Sequence, residues 1–464
     1  MKKILGLGLS LLGALAAGGQ AAAAENRLAA AVRANDLPAV RKLLAGHANP
    51  NAPLADKSTV LAWAVDRQSE EAVRLLLAAG AKPNVADVSG ATPIMLACEL
   101  GNPDIVESLL KAGADAGAMR PDGISALALC AGMSTPDVLA AMVAKGAKVN
   151  AADPHGQTPL MWAAAKGRAD NIAFLVKHGA NVNAVSEKGF TPLFFALKSR
   201  VPQAASALLD AGAGTNAVLP DGTSVIAAAL LEKNVPFAMQ LVERGADLNQ
   251  RDGEGRQLIH IAAASGAADF VKLVLSKGAD PNALTRPPPP APVLVASADQ
   301  AAADGGNGKG LAKADGTSAP PPPPPVPTPP LIYAAQAGSV DAMKALVDAG
   351  AKGDFKTEDG MTVTLAAAYG GNLAAMKYAL ELDPKLDEAA QGGKSLMHMA
   401  LSNRQGPETE AVIQYLADKG AKLDAKDDRG RTPGDVINST GPEKLRVFYV
   451  QLLKDRNVPL STAH

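Results

Sequence analysis

Histidines are the residues of this chain most able to bind a metal ion or to transfer a proton. No two of them are three or four residues apart, the spacing that places two ligands on one face of a helix, and no His-Glu-x-x-His sequence occurs. The six are His47, His155, His178, His260, His398 and His464. We therefore expect no metal site.

Carboxylates and nucleophiles show no catalytic pattern either. Paired acids such as Asp427 with Asp428 and Glu408 with Glu410 occur in polar stretches, with no apolar enclosure around them. No serine or cysteine lies in a recognisable nucleophile elbow. We predict a protein that is not an enzyme and that binds no cofactor.

A Gly-Ala pair that returns every 33 residues shows which elements must position any functional side chain. It occurs at Gly80-Ala81, Gly113-Ala114, Gly146-Ala147, Gly179-Ala180, Gly212-Ala213, Gly245-Ala246 and Gly278-Ala279. A second glycine keeps the same interval at Gly90, Gly123, Gly156, Gly189, Gly222 and Gly255. Thr-Pro follows two residues later at Thr92-Pro93, Thr158-Pro159 and Thr191-Pro192. Only a tandem repeat keeps a constant interval, and the unit is typical of a helix, a short turn and a second helix.

The recurring residues have structural explanations. Threonine can cap the first helix while proline occupies its first turn, where the missing N–H costs nothing. The glycine of Gly-Ala is expected to end the second helix in a left-handed conformation. Asparagines in the turn after it, such as Asn51, Asn84 and Asn150, tolerate turn conformations.

The period and the Thr-Pro opening resemble the ankyrin repeat. The resemblance implies an all-α solenoid of about eleven 33-residue helix-turn-helix repeats with a C-terminal capping repeat. It also implies reversible protein binding at a surface rather than chemistry in a pocket. His260 and His398 fall on the histidine of the family's Thr-Pro-Leu-His motif, which is expected to bond the backbone of a neighbouring turn.

The repeat register divides the chain into five segments. Residues 1–24 are a predicted signal peptide, 25–285 hold repeats one to eight, 329–429 hold repeats nine to eleven, and 430–464 form a capping repeat and tail. Between Gly278 and Gly350 the interval is 72 residues, 39 more than one period. The excess falls in residues 286–328, whose Pro, Ala and Gly-rich composition cannot form a core and predicts a disordered insertion.

The first 24 residues resemble an export signal. Lys2 and Lys3 precede an apolar stretch from Ile4 to about Ala17, and alanines follow at the expected cleavage site. That stretch is too short for a membrane span, and no later stretch reaches the roughly 18–20 apolar residues that one needs. We expect a periplasmic protein without a membrane span after cleavage, with full secretion as the alternative.

The overall charge excludes some partners. The chain has 45 basic and 46 acidic side chains, so the formal net charge is −1. No run of one sign is long enough to attract nucleic acid or anionic lipid. We expect a monomer that binds a protein, not a polyanion.

Cys98 and Cys130 are the two cysteines of the chain. Export would allow a disulfide between them. The repeat register, however, places both in small-residue positions between stacked helices, where a free cysteine behaves as a small hydrophobe. Helices packed about 8–10 Å apart exceed the roughly 7 Å Cα separation that a disulfide allows. We favour two free thiols, although a disulfide stays open.

One position of the first helix, the third after the Pro of Thr-Pro, collects large apolar side chains; we call it the groove position. It points about 200° away from the leucine of the motif and so toward the concave side. Its candidate members are Trp63, Leu96, Trp162, Phe195, Ile261 and Tyr333. Rigid aromatic anchors are typical of interfaces. The alternative is that this position is half-buried between helices and needs only bulk.

Polar residues at the tips of the turns between repeats, which we call fingers, give a second candidate surface. Arg120, His155 and Lys188 lie there, and in the ankyrin family such tips carry specificity for proteins. The chain is therefore expected to act as a scaffold, protector or inhibitor of an exported partner. The alternative is a structural spacer or tether in the cell envelope that uses the Pro-rich insertion.

Overall fold

The computed structural model describes residues 27–52, 54, 58–286, 326–402 and 408–459. The predicted signal peptide, the Pro-rich stretch 287–325 and the C-terminal tail from residue 460 lie outside the described residues. Two compact units, Met1–Pro220 and Asp221–His464, make up the chain. We call them the first and second units.

Helix pairs build the first unit. The first helices of its pairs are α1 (27–33), α3 (Val60–Asp66), α5 (Pro93–Leu100), α7 (Ala126–Met133), α9 (Pro159–Ala165) and α11 (Pro192–Ser199). The second helices are α2 (Leu37–Ala45), α4 (Glu70–Ala78), α6 (Pro103–Lys111), α8 (Pro136–Ala144), α10 (Ala169–Lys177) and α12 (Pro202–Asp210). From α3 onward each first helix contacts the next first helix, and the second helices stack likewise, so the unit has two layers of helices.

The second unit repeats this plan. Its first helices are α13 (Val225–Leu231), α15 (Leu258–Ala264), α17 (Pro330–Gln336), α19 (Val363–Gly370), α21 (Leu396–Ser402) and α23 (Pro433–Thr440). Its second helices are α14 (Val235–Glu243), α16 (Ala268–Ser276), α18 (Val340–Asp348), α20 (Leu373–Leu382), α22 (Thr409–Asp418) and α24 (Glu443–Asp455). One finger forms a short antiparallel hairpin from β1 (Ala389–Ala390) and β2 (Lys394–Ser395). The predicted all-α repeat class is confirmed.

The Thr-Pro openings behave as predicted at some helices only. Pro93, Pro159 and Pro192 each stand at the first helical position. Thr158 Oγ1 accepts a hydrogen bond from the Met161 N–H, as a helix cap should. The hydroxyls of Thr92 and Thr191 are buried and find no partner among the described residues, so their helices begin without that cap.

The two glycine series serve different purposes. The series that begins with Gly80 has left-handed backbone, with φ of 89° at Gly80, and a Cβ there would meet nothing within 4 Å. Its glycines are needed for conformation alone. Gly90 is also left-handed, but a Cβ there would lie 2.2 Å from Cδ of Pro121 in the next finger. At Gly90 the close approach of consecutive fingers requires glycine as well.

The recurring asparagines join neighbouring repeats rather than adopting unusual turn conformations. Asn51 donates to the Gly80 carbonyl over 2.8 Å and accepts from the Lys82 N–H over 2.7 Å. Asn84, Asn150 and Asn183 make the same pair of bonds to the following repeat. None of these four has positive φ. The side-chain amide therefore stabilises the stacking of repeats, which the sequence interpretation missed.

The same asparagine bond is preserved across the Pro-rich stretch. Asn282 bonds the Gly350 carbonyl, 68 residues away instead of 29, a difference of 39. Thr285 and Thr328 pair at the base of this stretch: Thr285 N–H donates to the Thr328 carbonyl, and Thr328 N–H donates to Thr285 Oγ1. The repeats on either side thus stack in the regular way.

Cys98 of α5 and Cys130 of α7 form a disulfide, with 4.4 Å between their Cα atoms. The preference for two free thiols is therefore wrong. That preference took the distance between helix axes as the distance between the facing backbones. Both cysteines are fully buried, and α5 packs directly on α7, so their facing backbones lie closer together than the helix axes do.

Candidate functional site

The groove position is half-buried in most of its candidate members. Trp63, Leu96, Trp162 and Phe195 in the first unit each retain partial exposure, as does Tyr333 in the second unit. Ile261 differs, because its side chain is 1% exposed. Ile261 therefore belongs to the core, and its inclusion among exposed partner-binding residues is wrong.

The indole N–H of Trp63, the tryptophan of the second repeat, has a hydrogen-bond acceptor within the protein. Trp63 Nε1 donates to Ser58 Oγ over 2.7 Å. The Arg33 guanidinium lies 4.0 Å from the centroid of the Trp63 ring, in cation–π range. Trp63 therefore presents a face already covered by a cation, and Arg33 belongs to this surface although the sequence analysis did not name it.

The indole Nε1 of Trp162 is buried, and its N–H finds no hydrogen-bond acceptor among the described residues. A Cβ at Gly132 would lie 4.0 Å from Trp162 Cε3, so the ring lies beside the end of α7. A buried donor left without an acceptor costs folding free energy.

Tyr333 packs against the buried histidine of the preceding first helix. The two rings meet edge to face with centroids 5.9 Å apart. Burial raises the pKa of the Tyr333 hydroxyl above its usual value. The phenol is therefore a neutral donor at physiological pH.

The finger residues fall into two classes. Arg120 is largely covered, and its guanidinium pairs with Glu99 over 2.9 Å and with Asp122 over 2.6 Å. The positive charge of Arg120 is thus compensated by carboxylates of the same protein. His155 and Lys188 are exposed. His155 Nδ1 lies 3.3 Å from Glu187 Oε2 across two consecutive fingers.

The structure brings His155, Lys188 and Phe195 together around one pocket of about 280 Å³, while the other candidates do not line it. Phe190 and Phe194 also line this pocket, together with Lys198, and the sequence analysis named none of these three. The signal that could have found them is the density of phenylalanine: three of the eight in the chain lie between residues 190 and 195.

A comparison with protein families decides the assignment. The family model described as Ankyrin repeats (3 copies) matches residues 28–120, 108–186, 126–218, 193–285 and 331–427. The chain belongs to the ankyrin-repeat family. No curated protein matches it.

Two histidines make the contacts expected in ankyrin repeats. His260 Nδ1 accepts from the Gln257 N–H, so Nε2 carries the proton and donates to the Ala283 carbonyl over 2.9 Å. His398 Nε2 is 3.1 Å from the Arg431 carbonyl. Burial lowers the pKa of His260 to about 4 and also lowers the pKa of His398. The predicted bonds to neighbouring turns are confirmed.

Neither a metal cluster nor a membrane span is found in the part of the chain that the structure describes. No group of three or more His, Cys, Asp or Glu side chains there could hold a metal ion. Among the described helices, none is long and apolar enough to cross a lipid bilayer. Ankyrin repeats generally mediate binding between proteins, so the half-buried groove side chains and the finger pocket are the candidate contact surfaces.

Proposed function

We propose that this ankyrin-repeat protein is a non-catalytic interaction solenoid of about eleven repeats and a C-terminal capping repeat. It acts as a scaffold, protector or inhibitor of an exported protein. Twelve helix pairs among the described residues support this repeat count. The observation that carries the binding role is the row of half-buried apolar side chains at one repeat position in the first unit, Trp63, Leu96, Trp162 and Phe195.

These side chains suit protein binding better than pure packing. A core residue is fully covered, as Ile261 is at 1% exposure, whereas the aromatic members keep an accessible edge. Aromatic side chains with one covered and one open side are typical interface anchors.

Export to the periplasm is part of the proposal. It rests on the signal-like residues 1–24, and the Cys98–Cys130 disulfide supports it, because such bonds persist in oxidising compartments and are rare in the cytosol. The mature protein is proposed to be a monomer.

The test is capture of a partner from periplasmic extract of the source cells. The bait is residues 25–464 with an affinity tag, compared with a Trp63→Ala and Trp162→Ala double variant. Tyr369→Ala is the control, because this tyrosine is 38% exposed and lies outside the groove position. We expect one stoichiometric partner with the wild-type and control baits, and a much weaker yield with the double variant.

Two results would contradict this proposal. Equal capture by all three baits would remove the groove as the binding surface. Recovery of the wild-type bait only with peptidoglycan or membrane would instead favour a spacer or tether.

A further inference from the structure

The end of α7 is held by two side chains from the start of α10. The last carbonyls of a helix have no partner within the helix, and here those of residues 131–134 accept hydrogen bonds from the next repeat. Asn171 Nδ2 donates to the first and the last of them, over 2.8 and 3.0 Å. Arg168 donates from Nε and Nη2 to the middle two, over 3.1 and 2.9 Å. We call these four hydrogen bonds the α7 latch.

The α7 latch lies beside the buried disulfide. Cys98 and Cys130 are both 0% exposed. Ser134, in the turn between α7 and α8, places its Oγ 3.6 Å from Cys130 Sγ. Met142 of α8 places its Sδ 4.0 Å from Cys98 Sγ. The turn and α8 thus help to cover the disulfide, and the latch fixes that turn to α10.

Thiol–disulfide exchange requires one sulfur atom to reach another. A thiolate attacks a sulfur of the disulfide, and a mixed disulfide is the intermediate. Because both cysteines are fully buried in the folded chain, exchange has to wait until the turn between α7 and α8 opens. The restriction applies equally to forming the bond and to reducing it.

We propose that the Cys98–Cys130 disulfide forms before α10 docks on the end of α7, by exchange with an oxidant protein that carries its own disulfide. The α7 latch then seals the bond. In the exchange, one cysteine thiolate forms a mixed disulfide with the oxidant, and the other cysteine displaces the oxidant's sulfur. The two cysteine thiols lose two electrons and two protons, and the oxidant takes them up and leaves as a dithiol. The sealed bond is a permanent link rather than a redox switch.

The order of the residues in the chain favours this sequence of events. Both cysteines precede Arg168 and Asn171, so a chain exported from its N-terminus presents the thiols before the latch residues. Oxidants of this class act in export compartments. The inference therefore rests on the proposed export for the identity of the oxidant, whereas the sealing by the latch depends on the fold alone.

The rate of reduction tests the seal. The mature chain is treated with dithiothreitol, and free thiols are trapped over time with a maleimide reagent that shifts the protein band on a gel. We expect reduction to be at least about a hundredfold slower in the folded protein than in concentrated guanidinium chloride, because the folded chain must open first. The control is Lys145→Cys in a Cys98→Ala and Cys130→Ala background, loaded as a mixed disulfide with glutathione. Position 145 is exposed, so its reduction should have similar rates in both conditions.

Variants of the latch locate the opening. Asn171→Ala removes two of the four bonds and is expected to speed reduction of the folded protein by about tenfold. Arg168→Ala removes the other two at an exposed residue and should act in the same direction, even if Asn171→Ala proves unable to fold. Thr364→Ala removes a buried hydrogen bond in the second unit, to the Asp383 carbonyl, and should leave the reduction rate unchanged.

The order of oxidation and folding is tested separately. The unfolded, reduced chain is diluted into native buffer, and oxidised glutathione is added either at once or after the helical signal has recovered. We expect the bond to form at least about tenfold more slowly after folding, since the thiols are then buried. A reduced chain that recovers its helices only when the oxidant is present would support the same order.

Three results would each overturn the inference. They are equal rates of reduction in the folded and unfolded protein, an unchanged rate in the latch variants that fold, and equal rates of oxidation before and after folding. None of them bears on partner capture, which tests the proposed interaction function independently. A mature protein found in the cytosol would reject the proposed export and the oxidant protein together, whereas the sealing by the latch would stand on the measured rates.

Discussion

The two units use the same repeat but hold neighbouring first helices together by different means. In the first unit a disulfide joins α5 to α7 through Cys98 and Cys130. In the second unit buried histidines bond the turn of the next repeat, His260 to Ala283 and His398 to Arg431. The difference shows that one scaffold can depend on redox conditions in one part and on pH in another.

The units also differ at the groove position. Four repeats of the first unit place a large, half-buried side chain there, as at Trp63, whereas Leu129 is 5% exposed. In the second unit Ile261 is 1% exposed and Ala366 is 2% exposed. Tyr333 is the second unit's aromatic exception. A binding surface based on this position is therefore concentrated in the first unit.

The largest expected effect is loss of the disulfide. The bond joins residues 32 apart in sequence, and closing a loop of that length should stabilise the folded state by about 3–4 kcal/mol. A Cys98→Ala and Cys130→Ala variant should therefore lose protection from hydrogen exchange around α5 and α7. Protection in the second unit should stay unchanged. Equal loss in both units would show that their stabilities are not separate.

The groove position gives the next contrast. Ile261→Ala removes a buried side chain and should cost about 3 kcal/mol of folding free energy, with no effect on partner affinity in the folded protein. Trp63→Ala should cost less folding free energy but weaken partner binding by about 2 kcal/mol, as interface anchors do. Denaturant unfolding and titration with the captured partner measure both quantities. If Trp63→Ala proves as destabilising as Ile261→Ala and leaves affinity unchanged, the position serves packing in both units.

A pH dependence should be confined to the second unit. Burial holds the pKa of His260 at about 4 in the folded protein, against about 6.5 in the unfolded chain. The unfolded chain therefore binds more protons between these values. The stabilisation is complete above pH 6.5 and is lost as pH falls toward 4. We expect roughly 2 kcal/mol of loss between pH 7 and 4.5.

The matched variant for this pH effect is His260→Gln, which cannot titrate in this range. Denaturant unfolding of the two proteins at pH 7 and 4.5, with hydrogen exchange to locate the change, measures the difference. A pH dependence that persists undiminished in His260→Gln would assign it to other groups.

The smallest expected effect is that of deleting residues 287–325 and joining Arg286 to Val326. The pairs Thr285–Thr328 and Asn282–Gly350 lie outside the deletion and are kept. The free energy of unfolding should therefore change by no more than roughly 0.5 kcal/mol, as for a neutral surface substitution. A loss above about 2 kcal/mol, large for a change outside the core, would show that the deleted stretch stabilises the second unit.

The local backbone conformation could be predicted from the sequence, whereas much of the side-chain packing could not. The 33-residue interval, the prolines at the first helical positions and the left-handed glycines such as Gly80 follow from rules that act within a few residues. They predicted the helix pairs. The disulfide was missed because the distance between the facing backbones of α5 and α7 depends on how the two helices pack, which the sequence interval does not give.

The candidate site was predictable only in outline. The third position after the Thr-Pro proline marks the groove, but whether a side chain there is covered depends on its neighbours, as Trp63 and Ile261 show. The pocket lined by His155, Lys188 and Phe195 depends on two consecutive fingers meeting through Glu187 and His155, which are 32 residues apart in the chain. Periodicity gives each finger its place but not the cavity between two fingers.

The asparagine bonds between repeats have a consequence for how such a chain can grow. Asn282 reaches Gly350 with the same geometry as Asn51 reaches Gly80, although 39 more residues intervene. The hydrogen bond requires only that the side-chain amide and the glycine carbonyl lie close together in space. The number of residues between them in the chain does not affect it. Each finger with this asparagine is thus a site where a foreign loop or a whole domain can be inserted while the repeats keep their register.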